Sequence, residues 1–158
     1  MTNRMIEKQY PILKLYQTMR MGMFDVITDE DLAFAPPNCP SLGELCVQVG
    51  EWEQSYIDSF RSFKQIFDYR QPDKEMANST AKLKSWWEEL DKELEETVTA
   101  LSDEDIETKV VDRGGWEASP RWNLDLFKDC IVIFFSKAWV YLKIMEKPMP
   151  ENWDNWIS

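Results

Sequence analysis

The chain has 158 residues, 44% apolar, 13% aromatic and 30% charged, with 18 basic side chains against 29 acidic ones for a net charge of -11. A chain of this size folds as one domain burying about 70% of its unfolded surface, so disordered, collagenous and disulfide-stapled classes are excluded. It contains no histidine, which removes every Ser-His, Cys-His or His-metal mechanism. With no basic tract to offset the acidity, nucleic acid and anionic membrane surfaces are not expected as partners. The longest apolar run, Cys130 to Phe135, is far short of the roughly 20 residues of a bilayer span, and no signal-peptide core precedes it at the N-terminus. Cys39, Cys46 and Cys130 form no CxxC pair, which fits free thiols in a reducing cytoplasm.

Helical spacing dominates the chain. From Arg4 to Ile27, Ile6, Tyr10, Leu13, Met19, Met23 and Val26 recur at threes and fours, predicting one amphipathic helix that Pro11 either kinks or opens. Thr28 with Asp31 caps a short turn, and prolines 36, 37 and 40 forbid a continuing helix. Ser41 and Glu44 form a capping box that opens a second helix. Its stripe Leu45, Val49, Trp52, Tyr56, Phe60, Phe63 and Ile66 predicts about six turns, with Glu44, Gln48, Glu51, Ser55 and Asp58 on the polar edge. A third helix is expected from about Ser79 to Ala100, with Leu83, Trp86, Leu90, Leu94 and Val98 inward. Beyond a connector carrying Gly114 and Gly115, a fourth starts near Asn123. It turns Phe127, Cys130, Ile131, Phe134, Ala138, Tyr141, Leu142 and Met145 inward until Pro148 stops it. The segments 27–34 and 101–108 share a DED core at the end of a long helix, dividing the chain into two helix-connector-helix halves. The expected fold class is all-α: a single domain over 1–158, a four-helix bundle with long connectors and a pseudo-twofold repeat.

A DEDL turn after the first helix, a proline-rich connector, SLGEL opening the second helix, and VYLK ahead of a P-x-x-W tail together resemble the DinB/YfiT-like four-helix-bundle superfamily over nearly the whole chain. The resemblance implies a fold that typically holds a divalent metal with three histidines, one on the second helix and an H-x-x-x-H pair on the fourth. It also implies frequent homodimers and, in some members, thiol-dependent transferase or hydrolase activity. Carried over residue by residue, the ligand positions fall on Gln48, Cys130 and Phe134. A structural zinc site draws about 10–16 kcal/mol from a full ligand set. Phenylalanine has no lone pair, and an amide oxygen with one soft sulfur is a poor remainder. The expectation is a degenerate site with no metal, no cofactor and no catalytic residue, its three positions kept as candidates for contact with another ligand.

Two functional classes follow. One is a metal-free binding or interaction module, homodimeric, taking a small apolar ligand. The other is a thiol-dependent transferase or hydrolase with an unconventional site. The missing histidines favour the first. Cys130 is expected to be inert on the inner stripe, since Lys128 and Lys137 lie off its face. The carboxylate spacings Asp125–Asp129 and Glu44–Glu51 are those of solvated helix faces. Trp153 and Trp156, one turn apart in the tail, either lay it back over the bundle or present a contact surface for a second chain together with Trp86 and Trp87.

Overall fold

The computed structural model describes residues 3–157. The Asn3 side chain accepts from the Met5 and Ile6 N–H groups to start a short α1 (Arg4–Lys8). The long first helix breaks here. α2 (Tyr10–Met21) restarts after Gln9 with Pro11 in its opening turn, where the missing N–H costs nothing. In the following connector the Thr28 N–H donates to Asp31 Oδ2 at 2.7 Å and opens the 3-10 turn Glu30–Ala33.

α3 (Leu42–Ser62) carries the expected capping box, with Glu44 N–H donating to Ser41 Oγ and Ser41 N–H to Glu44 Oε2. It ends a turn earlier than its apolar stripe predicts. Phe63 adopts the left-handed C-cap, φ 55°, and Ile66 lies exposed. The chain leaves the helix there to join a hairpin: Asp112 N–H donates to Phe63 O at 3.0 Å and Gln65 N–H to Asp112 O at 2.8 Å.

Ser79 caps α4 (Thr80–Thr99) and Ser102 caps α5 (Asp103–Thr108). Gly114 and Gly115, φ 73° and 126°, then turn an antiparallel hairpin of β1 (Val111–Asp112) and β2 (Glu117–Ala118), with Val111 opposite Ala118. α6 (Pro120–Ile144) starts three residues before the expected Asn123, because Ser119 caps it and Pro120 suits a first turn. α7 (Trp153–Ile157) follows in the tail.

The four long helices close a bundle in which α3 packs between α4 and α6, and α2 bridges α6 and α4. Contact is close at two points on α3. A Cβ on Gly43 would stand 1.9 Å from the Ala77 carbonyl oxygen, so the turn Met76–Asn78 rests directly on the start of the helix. A Cβ on Gly50 would lie 2.5 Å from the Trp86 ring. Trp87 is fully buried, donates from Nε1 to Cys46 O at 3.2 Å and meets Phe134 edge-on at 5.5 Å. Among the described residues no helix is long and apolar enough to cross a membrane.

A charge cluster occupies the inside of the bundle. Arg20 of α2 donates through Nη2 to Glu53 Oε2 of α3 at 2.6 Å and to Asp91 Oδ1 of α4 at 2.5 Å. Gln17 Nε2 donates to the other Glu53 oxygen at 3.1 Å, and the Arg20 guanidinium lies 4.7 Å from the Trp87 ring centroid. Arg20 and Glu53 are wholly buried; Asp91 keeps a partial opening to solvent.

Burial pushes the Asp91 carboxyl up to about 8, with the Glu53 charge adding to the shift and Arg20 opposing it. The folded chain therefore holds a proton that the unfolded chain releases near pH 4. This contribution to stability is full below about pH 4, declines as pH rises and is gone above about pH 8. The carboxylates shifted downward, Asp29, Asp31 and Asp73, act on the acid side of that window. The urea midpoint is expected to fall between pH 5 and about pH 8.5, and Asp91→Asn to flatten that slope. In the same urea titrations Arg20→Met, which strands the buried Glu53 carboxylate and removes the hydrogen bond to Asp91, is expected to cost about 3–5 kcal/mol.

Candidate functional site

The outer face of α3 and the irregular segment 63–79 form the walls of a groove of about 510 Å³. Gln48, Trp52 and Ser55 line one side, Phe67, Arg70 and Gln71 the other, and Glu44 and Glu51 add carboxylates. The groove exists because α3 stops at Ser62 and the chain doubles back over the helix it has just left. The Gln71 N–H donates to Glu51 Oε1 at 3.0 Å and fixes that return. Arg70 Nη1 is turned onto the carbonyls of Phe67 and Tyr69, and Asp73 is paired with Lys82 at 2.8 Å. Arg70 is thus held by the loop's own carbonyls, and Asp73 by a lysine of α4.

The three ligand positions carried over from the resemblance have different surroundings. Gln48 is exposed on the groove wall. Cys130 is half-buried on α6, with Sγ 3.9 Å from the Tyr56 hydroxyl of α3. Phe134 is buried with its ring against Trp87 and Phe135. No hydrogen bond or ring contact among the described residues joins any two of the three, and neither Cys130 nor Phe134 lines the groove that holds Gln48. Of the two tail tryptophans, Trp153 is wholly buried, donating from Nε1 to Met19 O at 2.9 Å and packing on Phe135 at 5.0 Å. Its ring is spent inside the chain and offers no surface to a partner. Trp156 stays exposed, edge-on to Tyr16 at 6.1 Å.

One group near Cys130 is absent from any reading by helical spacing. Arg113, from the β1–β2 hairpin, lies among three rings, with its guanidinium 4.8 Å from Trp116, 5.5 Å from Tyr56 and 5.7 Å from Phe67. It donates to Asn123 Oδ1 at 2.5 Å and to the Tyr56 hydroxyl at 3.4 Å. Burial still pushes the Cys130 thiol up, with Tyr56 and Arg113 pulling against it. Burial likewise pushes Cys46 up, with Arg20 opposing. Lys137, the lysine one helical repeat further along α6, instead covers the Trp52 ring at 5.8 Å.

No protein-family model and no curated protein matches the sequence. Among solved structures, a DinB-like protein from Bacillus cereus ATCC 10987 is similar at 16% identity and a TM-score of 0.71, covering 89% of this chain and 93% of that one. The fold is DinB-like. The donor set within this DinB-like bundle does not fit a divalent metal at the carried-over positions. Phe134 has no lone pair and its ring is packed edge-on to Trp87, Cys130 is turned to Tyr56, and Gln48 faces a separate groove. Among the described residues no group of three or more His, Cys, Asp or Glu is arranged to hold one.

The three thiols of this DinB-like chain are exposed (Cys39), half-buried (Cys130) and buried (Cys46). With an aromatic disulfide reagent at pH 8, Cys39 is expected to react first, Cys130 at least about tenfold more slowly, and Cys46 only on unfolding. Mass mapping of the labelled peptides reads that order.

Proposed function

We propose that this chain is a metal-free binding protein built on the DinB-like fold, taking a small, largely apolar molecule in the groove beside α3. The observation that carries this reading is the groove itself, where the Trp52 and Phe67 rings stand together with the Glu44 and Glu51 carboxylates. Each carboxylate already accepts a backbone N–H, from Ser41 and Gln71 respectively, which holds it in place before a ligand arrives. Aromatic walls with fixed carboxylates suit an apolar body bearing an amine. Gln48, on the same wall, supplies an amide that both donates and accepts.

A thiol-dependent reaction at Cys130 is the weaker reading, because burial disfavours the thiolate that such chemistry needs. A second copy of the chain is proposed as the protein partner. The cytoplasm is proposed as the compartment, which accords with three unpaired cysteines.

Isothermal titration with phenethylamine as the probe tests the groove. Saturable binding is expected, weakened at least about tenfold by Trp52→Ala and by Glu51→Gln. A thermal shift on ligand addition is expected to follow, worth about 2.7 kcal/mol at a hundredfold excess over Kd. Absence of saturable binding to the wild type, or equal binding by Trp52→Ala, would overturn the assignment of the groove.

A further inference from the structure

The groove beside α3 is charged at one end and aromatic at the other, and two contacts set its walls in register. The Gln71 N–H meets Glu51, and the Ala77 carbonyl lies against Gly43. The returning segment therefore runs antiparallel to α3. Lys74, midway between Gln71 and Ala77, stands level with Val47 and Gln48, and all three line the groove. At a rise of about 1.5 Å per residue, that level is within about 6 Å of both Glu44 and Glu51 along the helix. Past Glu51 come the rings of Trp52 and Phe67.

The opposite charges of this groove face one another without closing. Among the described residues the Lys74 ammonium makes no ion pair or hydrogen bond. Its neighbours are committed elsewhere: Arg70 donates to the carbonyls of Phe67 and Tyr69, and Lys82 is paired with Asp73. Glu44 and Glu51 each accept a backbone N–H through one oxygen, and no hydrogen bond among the described residues reaches the other. At the aromatic end Lys137 already stands over the Trp52 ring at 5.8 Å. A second cation is repelled from that end, so the ring takes an apolar group. A ligand bearing only an amine meets a carboxylate and leaves Lys74 without a counter-charge, and one bearing only a carboxylate does the reverse. A zwitterion meets both.

We infer that the groove recognises a free aromatic α-amino acid, with its ammonium at Glu51, its carboxylate at Lys74 and its ring between Trp52 and Phe67. The inference rests on the assignment of the groove as a ligand site, and it narrows the ligand from an apolar amine to one that carries a carboxylate on the same carbon. Two charges on one carbon must be met from a single point. Glu51 and Lys74, about one helical turn apart, meet that demand because lysine brings its charge on a flexible stem. Gln48, level with Lys74, adds an amide that donates to the same carboxylate. Glu44 lies past Lys74 at the charged end and repels a carboxylate placed further along, as on a peptide. The volume of about 510 Å³ accommodates one such amino acid.

Isothermal titration of the full chain with phenylalanine, phenethylamine and hydrocinnamate tests it, since the second lacks the carboxylate of the first and the third lacks its amine. Phenylalanine is expected to bind at least about tenfold more tightly than either. Lys74→Gln is expected to bring phenylalanine to within about threefold of phenethylamine, and Glu51→Gln to within about threefold of hydrocinnamate. Far-UV circular dichroism verifies that each variant folds; Lys74 is exposed. Phenylalanylglycine, whose carboxylate is carried toward Glu44, is expected to bind no more tightly than phenethylamine. Absence of saturable binding by both phenethylamine and phenylalanine overturns the groove assignment and this inference together. Saturable phenethylamine binding with phenylalanine no tighter, with its advantage intact in Lys74→Gln, or with phenylalanylglycine its equal, overturns this inference alone.

Discussion

Arg20 can be buried in this bundle because three helices converge on it. A guanidinium removed from water costs several kcal/mol unless counter-charges and hydrogen bonds replace its hydration. Here Glu53 comes from α3 and Asp91 from α4, while the Trp87 ring covers the guanidinium. None of these partners is near Arg20 in sequence, so its charge and its hydrogen bonds are both satisfied only when α2, α3 and α4 have docked in one register. An all-apolar core of the same volume would tolerate sliding of one helix along another. The cluster stakes the bundle on a single arrangement, and Gln17 extends it by holding the second oxygen of Glu53.

That arrangement leaves α3 with two kinds of surface. Its inner side is committed to the core and to Arg20, whereas its outer side faces the returning segment 63–79 across the groove. α6 is divided in a similar way. Phe134 and Ala138 are buried, Cys130 is turned to Tyr56, and the opposite side is apolar but exposed. Of the three positions where the resemblance leads one to look for coordination chemistry, Phe134 is in ring packing, Cys130 lies beside the Tyr56 hydroxyl and Gln48 lines the groove. The remaining chemical character of the DinB-like bundle lies on the outside of the helices, in the groove beside α3.

Much of this was legible in the sequence, for reasons that can be traced. Capping residues act locally, so Ser41 with Glu44 and Thr28 with Asp31 produce the same hydrogen bonds wherever the helices dock. The inward stripes of α4 and α6 were legible because one side of each helix is nearly continuous apolar contact. The termination of α3 was not, since Phe63 and Ile66 keep the helical spacing and the chain leaves the helix for a hairpin about 50 residues on. Arg113 went unseen for the same reason, as a cation beside Cys130 delivered from a connector has no periodic signature. The charge cluster had left a sign. Glu53 lies four residues after Val49 and three before Tyr56, on the buried line of α3, and Arg20 and Asp91 occupy inward positions of their own helices. Reading each helix alone assigns such residues to a polar edge, and only the comparison of three helices reveals opposite charges at inward positions. Gln48, Cys130 and Phe134 were located in the helices by spacing, but their divergence into three environments depends on tertiary packing.

The contact between Gly43 and the Ala77 carbonyl restricts how this chain can vary over evolutionary time. With 1.9 Å of room for a β-carbon, alanine at position 43 is accessible only in a lineage whose turn at 76–78 has already shifted. Substitutions at these two places are therefore ordered, the turn first and the glycine second. Among descendants of this sequence the two positions should covary although 34 residues separate them, and the covariation would trace a backbone contact that no side-chain chemistry announces.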